Sequence, residues 1–347
     1  MDVNNRAPFV DPEKQEKCTI AKPAKEVLMG TDNLNNKLFR KMRTMTNTAM
    51  EKVLMQGCPT QIVESETQKI NGEYQKVEAI TKFWFEVVEG CDLTKIAKLT
   101  PEDQWVLGAC MAEIQKGNRQ TTAEIIYRDC GWIGDPKPKK VEEILKSVDK
   151  MMSLKIHIDA TDVKKKLYQM RHKYGDDFTV DVVDVILPCY YQLTRLNGVP
   201  NTLTIKFRDV SPLFKYAIAK GQVTVFPTEL LAVPKRKNTP HFLELKGYIL
   251  TRIQAIKRTR KRNNQFPTVL LMDTLLEHCG FKDDIGSRMF RKRIWEDIML
   301  YMEFLVDENV ISTFQGYDEK GKPTDKWDKN GSIMFTYADD SQDYPSE

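Results

Sequence analysis

Apolar residues recur at helical spacing in the middle of the chain, beginning near residue 100. One set occupies positions i, i+3, i+4 and i+7, which lie on one face of a helix: Leu107, Cys110, Met111 and Ile114. Thr100-Pro101-Glu102-Asp103 precedes this set with a capping hydroxyl, a proline suited to the first turn and two acids. Because Gly117-Asn118 follows, the pattern predicts a helix between these two signals.

Three further elements are predicted after this helix. They are a short helix from Thr121 to Tyr127, a longer helix from Lys139 to Met152 and a strand from Leu154 to Ile158. Alternating polar and apolar residues from Phe178 to Phe207 then flank Asn197-Gly198, a dipeptide that tolerates positive φ in a tight turn. This stretch predicts a β-hairpin.

The same order of elements recurs later in the chain. The second set comprises a helix over Leu245 to Arg260, a short helix over Met272 to Cys279, a long helix over Ser287 to Asn309, and strands over Val310 to Phe314 and Ile333 to Tyr337. Helix, short helix, helix, strand, loop and strand is the order of elements in a winged helix. We therefore predict an α+β protein with two tandem winged-helix domains.

The residues before 93 predict an N-terminal extension. Met1 to Lys25 is polar and is expected to be poorly ordered, whereas Asn33 to Gln56 has helical composition. Gln61 to Val88 alternates around Asn71-Gly72, which predicts a second β-hairpin. The predicted divisions of the chain are an extension (1–92), a first domain (93–210), an interdomain connection (211–240) with a hinge at 226–239, a second domain (241–337) and an acidic tail (338–347).

Composition and charge refine this outline. The chain has 347 residues, of which 41% are hydrophobic and 29% charged, so it can bury a core and is not a disordered protein. Its formal charge of only +4 is a cancellation. Lys246 to Arg293 contains 12 basic and 4 acidic residues (+8), whereas Ile294 to Glu347 contains 4 basic and 13 acidic residues (−9). A basic stretch of this kind favours a nucleic-acid partner.

The strongest candidate site is the start of the predicted third helix in the second domain. In helix-turn-helix proteins the amino-terminal residues of this helix contact bases in the major groove. The candidate residues here are Ser287, Arg288, Arg291, Lys292 and Arg293. Arg288, Arg291 and Lys292 are expected to share a face with Trp295, while Met289, Phe290 and Ile294 are expected to turn inward. The alternative is a solvated helix start, although positive charge is unfavourable at a helix amino terminus.

A second basic run is expected to contact phosphates between two helices. It consists of Lys257, Arg258, Arg260, Lys261 and Arg262. A nuclear localisation signal and a solvated linker are the alternatives for this run. The third helix of the first domain mixes lysines with acids, so that domain is expected to contact the DNA backbone or to dimerise. Lys164 to Lys166 is expected to be a solvated helix face, and Trp327 is expected to pack in the second wing rather than to reach a minor groove.

Enzymatic and metal-binding patterns are weak. The seven cysteines contain no Cys-x-x-Cys pair and the four histidines are isolated, which excludes common zinc sites and predicts no cofactor. Gly316 to Lys322 approaches a phosphate-binding loop, but Pro323 replaces the required hydroxyl residue. Asp181 with Asp184, or Asp283 with Asp284, are the candidates for a less favoured primase or nuclease. The chain lacks a readable signal peptide or an apolar run that spans a bilayer, so a cytoplasmic protein is expected.

The chain resembles the plasmid replication initiator (Rep) family of tandem winged-helix proteins from about Leu93 to Tyr337. The resemblance rests on Leu99-Thr100-Pro101 at the first helix, on the repeated order of elements, and on the stretch from Arg288 through Asn309-Val310-Ile311. It implies a protein that binds direct repeats at an origin through its second domain and dimerises through its first, in a monomer–dimer equilibrium. It also implies opening of an A·T-rich segment and recruitment of a host helicase, without catalysis by the protein itself.

The leading hypothesis is a sequence-specific binder of double-stranded DNA that initiates plasmid or phage replication. A winged-helix transcriptional regulator or a partition factor would use the same residues and is the alternative.

Overall fold

The computed structural model describes residues 38–42, 60–89, 99–167, 179–219, 223–234, 239–263, 265–281 and 286–338. This part of the chain is mixed α/β. It includes no helix that is long and apolar enough to cross a membrane. The segments 1–37 and 339–347, including the region expected to be poorly ordered and most of the acidic tail, lie outside the described residues.

Three strands precede the first described helix. They are β1 (Leu38–Met42), β2 (Thr60–Ile70) and β3 (Glu73–Val87). Strands β2 and β3 form the predicted hairpin, and its turn residues Asn71 and Gly72 have φ values of 53° and 90°. The prediction of a helix over Asn33 to Gln56 is wrong for Leu38–Met42, which form β1. Pairing of β1 with the strand Val223–Pro227, far along the chain, overrides the weak helical preference of these five residues.

The first repeated unit begins with three helices and a short strand. They are α1 (Pro101–Gln115), β4 (Gln120–Thr122), α2 (Ala123–Asp129) and α3 (Pro138–Met152). Helix α1 has the predicted start, since the Thr100 hydroxyl accepts from the Asp103 N–H at 3.2 Å and an Asp103 carboxylate oxygen accepts from the Thr100 N–H at 2.7 Å.

An insertion separates α3 from the hairpin of this unit. It consists of β5 (Leu154–Asp159), α4 (Thr161–Leu167) and β6 (Asp181–Val185), and the hairpin strands are β7 (Cys189–Leu196) and β8 (Val199–Phe207). Strands β5 and β6 extend the first hairpin into a sheet of order β2-β3-β5-β6, while β7 and β8 join β4 in the order β4-β8-β7. The predicted Phe178 to Phe207 hairpin is therefore correct around Asn197-Gly198 and wrong at β6. Alternation predicts a strand without identifying its partner.

The expected interdomain connection is structured and packed. It contains α5 (Pro212–Ala219), β9 (Val223–Pro227), which pairs with β1, and a 3-10 turn (Thr228–Leu231). Leu230, Leu231 and Val233 are buried in the core. The part of the expected hinge that the structure describes thus holds the two units together.

The second repeated unit has the order of elements that the first has without its insertion of β5, α4 and β6. It comprises α6 (Pro240–Arg262), β10 (Val269–Leu271), α7 (Met272–His278), α8 (Arg288–Asp307), β11 (Ile311–Tyr317) and β12 (Ser332–Tyr337). Its sheet has the order β10-β12-β11, which matches β4-β8-β7. The short helices α2 and α7 both end at a Cys-Gly pair, and Gly131 and Gly280 have similar positive φ values of 75° and 69°.

A continuous cluster of buried apolar residues runs through both units. Polar contacts also cross the junction: the Trp105 indole N–H donates to the Glu244 carboxylate at 2.9 Å, and the Tyr301 hydroxyl donates to the Leu230 carbonyl at 2.8 Å. The buried Lys246 ammonium donates to the Leu231 carbonyl. The Tyr301 and Lys246 contacts converge on the 3-10 turn, and the Trp105–Glu244 contact joins α1 to α6 directly, so the two units share one core.

Candidate nucleic-acid interface

The start of α8 is positioned by a polar cap and an aromatic cluster. The Ser287 hydroxyl accepts from the Phe290 N–H at 3.4 Å, which places Ser287 at the cap. The Phe290 ring packs edge-on against Phe281 and His241, with centroids 5.7 Å apart in each case. With Phe290 turned inward, Met289 points outward and is 78% exposed. The expectation that Met289 turns inward is therefore wrong.

The candidate cations surround this helix start. Arg288, Lys292 and Arg293 are exposed and Arg291 is half-buried. Lys292 forms a loose, exposed ion pair with Glu296 at 3.7 Å. None of the three arginines forms an ion pair with a residue that the structure describes. Four cations next to the positive end of a helix dipole are unfavourable for folding.

Trp295 ties this helix to the loop between β11 and β12. It lies on the same helical face as Arg288, Arg291 and Lys292, as predicted, and it is buried. Its indole N–H donates to the Asp325 carbonyl at 2.8 Å. A Cβ on Gly316 would lie 2.7 Å from the Thr324 carbonyl oxygen and 3.0 Å from the Trp295 ring, so glycine allows the loop backbone and the ring to approach β11 this closely. The loop is thereby held beside the cationic end of α8.

Two of the four acidic residues of this loop accept hydrogen bonds from its own backbone. One Asp318 carboxylate oxygen accepts from the N–H groups of Lys320 and Lys322, at 2.9 and 2.8 Å. The Asp328 carboxylate accepts from the Glu319 and Asn330 N–H groups at 2.8 and 3.0 Å. The loop lysines are exposed: Lys320, Lys322, Lys326 and Lys329. Trp327 is half-buried against the core.

The second basic run is part of a helix and does not lie between two helices as predicted. Lys257, Arg258, Arg260 and Lys261 form the last turns of α6, where positive charge is favourable to the helix dipole. The Lys257 ammonium and the Arg260 guanidinium lie 5.5 and 5.9 Å from the centroid of the Tyr337 ring. The side chain of Arg262 lies outside the described part of the chain.

The two basic clusters are separate surfaces. Phe290 at the start of α8 contacts His241 at the start of α6, whereas the basic run lies at the other end of α6. Sixteen residues of α helix separate His241 from Lys257, which corresponds to about 24 Å along the axis. The clusters can therefore contact one duplex only at sites several base pairs apart.

The first unit lacks an equivalent cationic helix. The buried positions of α3 match those of α8 at an offset of 150 residues, from Ile144 with Ile294 to Met151 with Tyr301. Glu142 and Glu143 then stand where α8 has Lys292 and Arg293. Two of the four lysines of α3 are paired within the protein. Lys140 forms ion pairs with Glu102 and Glu143 and lies 3.9 Å from the centroid of the Trp132 ring, and Lys150 lies 2.9 Å from the Asp103 carboxylate.

The described acids do not form a metal site. No group of three His, Cys, Asp or Glu side chains that could hold a metal ion occurs among the residues described. Asp181 and Asp184 lie on β6, where the Asp184 carboxylate accepts from the adjacent Val185 N–H at 2.7 Å, and Asp283 and Asp284 lie outside the described ranges.

The most perturbed carboxyl pair has a structural role. The Lys116 ammonium lies 2.6 Å from the Glu113 carboxylate and 3.2 Å from the Asp129 carboxylate, at the ends of α1 and α2. Burial raises the pKa of Asp129 to about 7. Burial also opposes the charge on Glu113, but hydrogen bonds from Lys116 and Asp129 outweigh it and hold the pKa of Glu113 below its ordinary value. The cluster joins the two helix ends and contacts neither basic surface.

Comparison with known proteins gives a weak structural likeness. No family model and no curated relative matches the sequence. Two solved structures of domains 2 and 3 of RctB resemble the chain, each at 12% sequence identity. One has a TM-score of 0.41 and covers 84% of this chain and 99% of its own, and the other has a TM-score of 0.40 and covers 80% and 92%. TM-scores this low carry no argument about function, so the proposed function rests on the chain's own residues.

Proposed function

We propose that this protein binds double-stranded DNA sequence-specifically and initiates the replication of a plasmid or phage. The observation that carries the proposal is the cationic start of α8, where Arg288, Arg291 and Arg293 have no ion-pair partner among the described residues. Arginine suits base recognition, since its planar guanidinium can donate two hydrogen bonds to guanine O6 and N7.

The second unit supplies the architecture for this contact. We infer a winged helix from its order of elements and its three-stranded sheet, with α8 as the recognition helix. Trp295 holds the β11–β12 loop beside α8, so the loop lysines can contact phosphates while the arginines contact bases. The basic end of α6 contacts phosphates several base pairs away. We further propose that the first unit, whose α3 is not cationic, contacts the DNA backbone or dimerises.

The second part of the proposal is the role in replication. It is supported by the two units of like element order, and it predicts binding to repeated sequence beside the gene. Recruitment of a host helicase or initiator would follow DNA binding, and no catalytic step is assigned to this chain.

A titration of duplex DNA tests the proposal. Fluorescence anisotropy would compare duplexes from the DNA flanking the gene with a random duplex at several salt concentrations. We expect preferred binding to one flanking repeat, and a preference that falls by about 10- to 100-fold in Arg288→Ala, since one bidentate base contact is worth about 1–3 kcal/mol. Arg260→Ala should weaken all duplexes alike and lower the salt slope by about 1.

Lys146→Ala is the matched control, because Lys146 is an exposed cation on α3 of the first unit. It should leave the sequence preference intact. Equal affinity of the wild-type protein for flanking and random duplexes would contradict the proposal. A preference that Arg288→Ala keeps, or that Lys146→Ala loses to the same extent, would contradict the assignment of base recognition to α8.

A further inference from the structure

The hairpin of the first unit exposes two apolar side chains at its tip. Leu196 and Val199 face each other across the Asn197-Gly198 turn and are 65% and 47% exposed. The turn residues have φ values of 51° and 78°, so the turn is the type that an Asn-Gly pair forms without help from its neighbours. Folding of the turn therefore does not require apolar residues on both sides of it.

The other Asn-Gly hairpin of the chain provides a comparison. Its turn at Asn71-Gly72 has the same backbone conformation but is flanked by a half-buried Ile70 and an exposed Glu73. A charged residue at this place is typical of a hairpin tip that faces only water. The paired Leu196 and Val199 differ from that pattern, and their exposure indicates a surface that they contact.

The charges of the β7–β8 hairpin indicate an anionic surface. Residues 185–208 contain three basic residues (Arg195, Lys206 and Arg208) and no acidic residue. The exposed face carries side chains that can donate hydrogen bonds: Tyr190, Gln192, Thr194 and Lys206. At the tip itself, the Arg195 guanidinium donates to the Gly198 carbonyl at 3.3 Å, which keeps it beside the turn. Hydroxyl, amide and cationic groups of this kind contact the sugar–phosphate backbone of DNA.

We propose that this hairpin tip enters the minor groove of the duplex bound by α8, with Leu196 and Val199 acting as an apolar wedge. The inference rests on the proposed DNA binding and assigns a separate element to it. Apolar side chains inserted at base steps from the minor groove partly unstack them and kink the duplex by 20–90°. Arg195 lies where its charge would enter the groove, whose negative potential attracts arginine. The β7–β8 hairpin of the first unit has the same place in the element order as the β11–β12 hairpin of the second.

A bending measurement on a selected duplex tests the wedge. The wild-type protein would select a duplex of about 30 base pairs, three helical turns, from a random pool. Energy transfer between dyes at the two ends of that duplex would then report the bend. We expect a bend with the wild type, and loss of most of the bend with about tenfold weaker binding in Leu196→Ser/Val199→Ser. The salt slope should stay the same in this variant, because no charge is removed. Arg195→Ala should instead lower that slope by about 1.

Tyr74→Ser is the matched control, because Tyr74 is 77% exposed beside the other Asn-Gly turn. It should bend and bind the duplex as the wild type does. Circular dichroism melting would establish that the tip variant is folded, and Leu196→Lys provides a second variant that adds charge at the same place. If the tip variants bend and bind the duplex like the wild type, the wedge is refuted while the role of α8 stands.

Two other outcomes also decide against the wedge. If the tip variants change only the sedimentation of the free protein, the tip is a contact between copies of the chain. If the wild type selects no duplex from the pool, both the wedge and the proposed DNA binding fail.

Discussion

The buried Lys246 makes the stability of the junction depend on pH in a direction that can be measured. Its side chain has no exposed surface, lies 5.0 Å from the centroid of the Phe242 ring and donates to the Leu231 carbonyl. Burial lowers the pKa of Lys246 from 10.5 to about 7. The neighbouring Cys130 thiol stays neutral throughout this range, since burial raises its pKa well above the ordinary value.

The direction of this pH dependence follows from how many protons the folded and unfolded states bind. Between pH 7 and pH 10.5 the unfolded chain binds a proton at Lys246 that the folded protein has released, so stability rises with pH. The contribution is fully present above pH 10.5 and is lost as the pH falls through about 7. At about 1.4 kcal/mol for each pKa unit, the full effect is at most about 5 kcal/mol, of which about 3 kcal/mol falls between pH 7 and pH 9.5.

Urea unfolding of the wild type and of Lys246→Met measures this effect. Methionine keeps the length of the side chain and removes its charge, so the difference between the two proteins isolates Lys246 from other titrating groups. The wild type should gain up to about 3 kcal/mol relative to the variant between pH 7 and pH 9.5. Parallel stability curves for the two proteins over this range would refute the reasoning, because they would mean that Lys246 has the same pKa in the folded and unfolded states.

Two further predictions concern the first unit. In thermal melts, Gly131→Ala should destabilise the protein by about 2 kcal/mol more than the equivalent Gly280→Ala. Both glycines have positive φ, so both substitutions strain the backbone. A Cβ on Gly131 would in addition lie 2.5 Å from the Leu231 Cβ, whereas nothing lies within 4 Å of a Cβ on Gly280. Equal losses would show that the junction yields to the added methyl group. The pH dependence of stability at Asp129 runs opposite to that at Lys246, since burial raises the pKa of Asp129 to about 7. In urea unfolding the wild type should therefore lose stability relative to Asp129→Asn as the pH rises from about 4 to 7, and a wild type that gains stability over this range would contradict the raised pKa of Asp129.

Local patterns in the sequence predict the second unit well. The helix over α8 and the returning strand at β12 follow from apolar periodicity, which acts over a few residues. The repeat could have been recognised more sharply from the Cys-Gly pairs, since Cys130-Gly131 and Cys279-Gly280 end short helices that are preceded by a short strand in both units.

Strand pairing and side-chain direction at a helix end depend on distant residues. Alternation at β5 is the same whether its partner is the hairpin of its own unit or β3, so the insertion of β5, α4 and β6 was not predictable from it. The outward direction of Met289 likewise depends on Phe281 and His241, which engage the neighbouring Phe290.

The two basic clusters also show why charge counting alone does not locate a binding site. Both contribute to the same +8 stretch of sequence, but one lies at the carboxyl end of α6 and the other at the amino end of α8. At the end of α6, lysine and arginine are favourable to the dipole and pack over Tyr337, so folding by itself accounts for part of that charge. At the start of α8 the dipole opposes the same residue types, and Arg288, Arg291 and Arg293 find no ion-pair partner in the described part of the chain. The charge that folding does not explain is therefore concentrated at α8, and this difference, rather than the total, favours α8 as the surface that meets an anion.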